Sequence, residues 1–81
     1  MFGLMSWEAR SLLKECKAAF DAAAHADQED RADRLVDLLI LWRQGADGLK
    51  AAEVAKVRDR VTEYMYHVSE DVAGLEPVLL S

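Results

Sequence analysis

The chain is short of nearly everything that staples or bends a small fold. Its 81 residues hold one cysteine, one proline, four glycines, and two each of tryptophan, tyrosine and phenylalanine. A lone Cys16 excludes an intramolecular disulfide, and with it the disulfide-framed scaffolds. So few prolines and glycines exclude a sheet protein of many tight turns, a collagen-like repeat and a low-complexity chain. The longest apolar run, Leu38-Leu39-Ile40-Leu41-Trp42, is far below the roughly 20 residues of a membrane-spanning helix. Met1-Phe2-Gly3-Leu4-Met5 has neither the basic start nor the continuous apolar stretch of a secretory signal. The expectation is a soluble, cytoplasmic chain without a membrane partner.

Charge of one sign is also scarce. Ten Lys and Arg stand against fifteen Asp and Glu, for a net charge of -5. The one basic cluster, Lys50, Lys56, Arg58 and Arg60, is interleaved with Glu53, Asp59 and Glu63. A nucleic-acid backbone calls for clustered, unopposed cations, so nucleic acid is not an expected partner. A basic protein surface is.

What is present is a folding composition, 52% hydrophobic and 31% charged. The length allows one domain, residues 1–81, with apolar terminal segments at 1–6 and 75–81. A domain this small is marginally stable and gains from a metal or a second copy.

Apolar spacing predicts three helices. In the first, about 7–25, Ser6 is the N-cap, and Ala9, Leu13, Cys16, Phe20 and Ala23 form one row beside Leu12, Ala19 and Ala26. The second, about 28–44, starts at Asp27 with Asp30 in a capping-box position. Asp27/Arg31 and Asp30/Arg34 there are acid-first pairs worth about 0.2–0.5 kcal/mol each. Ala32, Leu35, Val36, Leu39 and Trp42 are read as its inward stripe, and Gly45-Ala46-Asp47-Gly48 as its break. In the third, about 49–73, Val54, Val57, Val61, Tyr64 or Met65, Val68 and Val72 repeat at three-four spacing. Gly74 and Pro77 end it. The tail Val78-Leu79-Leu80 is expected to fold back toward the Phe2/Leu4/Trp7 end. The fold class is therefore all-α, a small three-helix domain, alone or paired into a dimeric helical bundle.

Chemistry-bearing residues are thin. Glu63, His67 and Glu70 or Asp71 share a helical face, but one imidazole and two carboxylates need further ligands to hold zinc or iron. Their Glu-x-x-x-His spacing also departs from the Glu-x-x-His of di-iron bundles. Cys16 sits in an apolar row without a base to activate it. His25 lies beside Asp27 in a connection. No phosphate loop, nucleophile elbow or Cys-x-x-Cys occurs. No catalytic residue, metal ligand or cofactor is assigned, and the chain is not expected to be an enzyme.

The second helix is apolar nearly all round, and such a helix has to be covered on more than one side. Leu38 and Leu41 point away from the predicted inward stripe. Three covers fit: the tail, a second copy of the chain, or another protein. The resulting expectation is a small acidic protein-binding module that acts by occupying a surface, as inhibitors, immunity proteins, antitoxins, secretion chaperones and phage antagonists do. Leu38, Leu41 and Trp7 would enter an apolar groove, and Asp33, Asp37, Glu63, Glu70 and Asp71 would steer a basic partner. The alternatives are a structural homodimer and a metal-binding bundle built on Glu63 and His67.

Overall fold

The computed structural model describes residues 5–80 and is all-α: α1 (Trp7–Ala24), α2 (Gln28–Asp47) and α3 (Ala51–Asp71). No described helix is long and apolar enough to cross a membrane. Ser6 caps α1, its Oγ accepting the Ala9 N–H at 3.2 Å. Asp27 occupies the N-cap of α2 but makes no side-chain capping bond, so the expected capping box does not form.

α1 is the central helix. It packs along both α2 and α3, which hardly touch each other. Ser6 N–H donates to Glu53 Oε2 at 2.7 Å, and Tyr64 Oη donates to Asp21 Oδ1 at 2.6 Å. Lys17 Nζ also stands 5.4 Å from the centre of the Tyr64 ring, a cation–π contact worth about 0.5–1 kcal/mol. These ties join the starts of α1 and α3 and, further along, their later turns, so the two helices run parallel and α2 runs against them.

The second helix continues through Gly45 and stops only at Gly48, which corrects the predicted break. Gly45 is a packing residue. A Cβ there would lie 2.3 Å from Leu12 Cδ1 and 3.1 Å from Leu12 Cγ, so hydrogen alone lets α2 reach the buried Leu12. The inward stripe changes phase with it. Leu38 and Trp42 are buried, Leu35 and Leu41 pack partly against the core, and Val36 and Ile40 face outward. In α3 the valine repeat runs as read, with Val57, Val61 and Met65 fully buried.

After α3 the chain turns at Gly74, whose φ of 82° suits glycine. Arg31 holds this turn. Its guanidinium donates to the carbonyls of Ala23 (3.3 Å), Ala24 (3.4 Å) and Ala73 (3.4 Å). It therefore caps the end of α1, adding a second donor to the Ala23 carbonyl, which already accepts the Ala26 N–H, and supplying one to that of Ala24. It also fastens the tail through Ala73, where the sequence led to an expectation of pairing with Asp27. The tail then runs back between α2 and α3: Leu75 and Leu80 are buried in the common core, with Val78 packed against it. Leu79 and Leu80 border Arg58, Asp59, Thr62 and Glu63 of α3, and Leu79 also borders α2. The predicted contact with Phe2 and Leu4 falls on residues outside the described range. Trp7 borders other parts of the surface.

Two outcomes follow from this packing. Gly45→Ala adds about 1 kcal/mol of helix propensity but overpacks Leu12, at about 1–3 kcal/mol, so it should lower Tm. Gly48→Ala, whose nearest neighbour is a carbonyl at 3.8 Å, should not. In a Leu12→Ala background the Gly45→Ala loss should disappear; an equal loss in both backgrounds refutes the close approach. Separately, the Ser6 hydroxyl, then the Ser6 N–H, hold the Glu53 carboxyl below its ordinary pKa. That tie is complete above the ordinary carboxylate range and is lost as the pH falls through the lowered value. Acid titration of stability should flatten over that window in Glu53→Gln, and an unchanged profile would remove Glu53 from the account.

Candidate apolar binding face

The outward side of α2 follows from its phase. With Leu38 and Trp42 turned inward, residues two positions from Leu38 on either side face solvent. Val36 is 53% and Ile40 49% exposed. The tail lies alongside, and its Leu79, between two anchored residues, is 74% exposed. Val36, Leu39, Ile40, Arg43 and Leu79 line a depression of about 340 Å³ that reaches down to Trp42. One wall is a helix and the other the non-helical tail. The apolar lining is therefore continuous between α2 and the tail, the kind of exposed grouping that marks interaction sites.

Charged side chains frame it. Asp33 and Asp37 are exposed on α2, within one turn of Val36 and Ile40 and so beside them on the helix surface. Across the tail, Asp59 and Glu63 of α3 line the neighbouring depression with Arg58 and Leu79. Arg43 sits in the groove itself.

The sequence-predicted residues divide. Asp33, Asp37 and Glu63 border this face, whereas Glu70 and Asp71 are exposed in the last turn of α3, about two turns beyond Glu63. Trp7 is 72% exposed but stands on α1, over a separate depression of about 560 Å³ lined by Arg10, Ser11, Lys14, Glu15 and Ala18. Leu38 has no exposed surface and Leu41 is half-buried against the core. The exposed Leu38/Leu41 patch is thereby corrected, because Leu38 falls in the row that meets α1 near Gly45 and Leu41 packs partly against the core. Val36, Ile40, Arg43 and Leu79 were missed. A signal for them was present in Arg31, Leu35, Leu38, Trp42 and Gly45, an unbroken four-three-four-three row once Gly45 counts as helical.

Cys16 and His25 lie on or at the end of α1, apart from this face. Cys16 is fully buried, and burial first, then the Glu15 charge, pushes its thiol up to about 11. It is protonated at neutral pH and is no nucleophile there. His25 Nδ1 lies 2.8 Å from the Asp21 carbonyl at the end of α1, a helix-terminal contact in place of a pairing with Asp27. Glu63 and His67 are exposed on α3, and among the described residues no three His, Cys, Asp or Glu side chains gather as a metal-ligand set.

No family model, curated protein or solved structure matches the chain.

The two phases of α2 are separable by mutation. Leu38→Glu puts a charge where no water reaches, and should abolish cooperative unfolding or cost about 3 kcal/mol or more. Ile40→Glu, on the outward side, should shift stability by about 0.5 kcal/mol or less. Circular dichroism melts decide the matter, and the reverse order of effects would return Leu38 to the surface.

Proposed function

We propose that the chain is a protein-binding module that acts by occupying a partner's surface, with the Val36/Ile40/Leu79 face as its contact. The observation that carries the reading is the exposure of three large aliphatic side chains side by side in a domain that buries its other aliphatic stripes. Burying such a residue from full exposure contributes about 1.5–3 kcal/mol. Val36 and Ile40 are already half-buried, so a partner gains only part of that from each and needs further contacts at the charged rim to offset the cost of association. The reading assigns no catalysis and needs no cofactor. It goes with a reducing cytoplasmic setting, in which a lone buried thiol is unremarkable.

A second reading, a structural homodimer, is favoured by the spacing on α2. Val36 and Ile40 stand symmetrically about residue 38, as do Asp33 and Arg43. Antiparallel pairing about that point would lay Val36 on Ile40 of a second copy and bring Asp33 toward Arg43. Trp7 is not needed in either reading.

The test is affinity capture from source lysate with wild type and with Val36→Glu/Ile40→Glu, which should stay folded because both positions are outward. Loss of one dominant foreign protein in the variant is the expected outcome. Capture unaffected by the variant would contradict the proposed face. Capture of the bait alone, with a variant that becomes monomeric in sedimentation, would transfer the face to the homodimer.

A further inference from the structure

Resting on that reading, we infer that the occupant of the α2–tail face is a basic amphipathic helix of another protein, laid along the groove with its apolar ridge on Val36, Ile40 and Leu79. Shape gives the first part of the argument. The depression runs between α2 and the non-helical tail, is lined by side chains from both, and bottoms on Trp42. Apolar residues one turn apart on an incoming helix match Val36 and Ile40, themselves one turn apart.

Charge gives the second part. Acids outnumber bases around the apolar strip. Asp33 and Asp37 flank it on α2 and Asp59 and Glu63 on α3, while Arg43 and Arg58 are the opposing cations. A helix entering the strip with Lys or Arg beside its apolar ridge meets carboxylates on both sides. A second copy of this chain brings its own net charge of -5 to the same rim, and only the Asp33–Arg43 pairing offsets that repulsion. Complementary charge raises the rate of encounter and rejects wrong partners, and salt weakens it.

The tail has a positioning part. Leu79 is one wall of the groove, and it is held there by Leu75 and Leu80 in the core and by the Arg31–Ala73 hydrogen bond. Loosening the tail therefore opens the site without touching α2.

The experiment uses two tryptophan-free, four-turn synthetic helices with the same leucine ridge, one flanked by lysines and the other by glutamates. Binding to the full chain is read by intrinsic fluorescence and confirmed by calorimetry, at low and at molar salt. The lysine helix should bind about tenfold or more tighter than the glutamate helix at low salt, with the gap closing at molar salt. Val36→Ser/Ile40→Ser should weaken the lysine helix by about tenfold, and Asp33→Asn/Asp37→Asn should narrow the gap between the helices. Equal binding of both helices overturns the charge assignment. Lysine-helix binding unchanged by Val36→Ser/Ile40→Ser means attraction to the acidic surface at large, and overturns the groove. No binding of either helix overturns the inference, while the module reading is judged separately by lysate capture. A dimer that dissociates in Val36→Ser/Ile40→Ser names a second copy as the occupant instead.

Discussion

Three helices with one apolar stripe each can close a small core only if every stripe finds a cover, and here α2 and α3 leave a seam because each packs on α1 and hardly on the other. The segment after α3 fills that seam with Leu75, Val78 and Leu80. Much else follows from this. Trp42, in the row of α2 that meets α1 at Gly45, also borders the depression that Leu79 of the tail lines. Arg31 has a carbonyl of the tail within reach because α1 ends, α2 begins and α3 ends at the same pole. The tail thus does the work of a fourth bundle element at a fraction of a helix's length.

The same arrangement creates the binding face. Along the tail, which has no regular secondary structure, Leu80 turns into the core and the adjacent Leu79 turns out to solvent. An α-helix in that position could have kept its apolar residues on one inward stripe. Exposure of Leu79 beside Val36 and Ile40 goes with closing the seam by non-helical chain, and the candidate site and the core share one segment.

Much of the fold was legible in the sequence because its signals were local. Ser6 as a cap, the α1 rows through Cys16 and the valine repeat of α3 all follow from the 3.6-residue period. The phase of α2 was not legible, for a physical reason. Leu35, Val36, Leu38, Leu39, Ile40, Leu41 and Trp42 give apolar side chains to almost every direction, so periodicity alone cannot choose among them. The deciding residue was Gly45. Read as a helix breaker it removed itself from the pattern; in contact with Leu12 it marks the line of closest approach and places Leu38 and Trp42 inward. The candidate site inherited that ambiguity. Its acidic border at Asp33, Asp37 and Glu63 was readable, while its apolar centre depended on a packing choice made between distant segments. The course of the tail was equally non-local, since nothing within residues 75–80 distinguishes the α2–α3 seam from the N-terminal end.

The tail's position carries both the core and the proposed contact, so it is the most direct point of attack. Nuclear Overhauser contacts from the methyl groups of Leu79 and Leu80 would locate it in solution. The account predicts contacts from Leu79 to Ile40 or Val36 and from Leu80 to Thr62 or its neighbours in α3. Contacts from these methyls to Trp7, or random-coil shifts for residues 75–80, would contradict it.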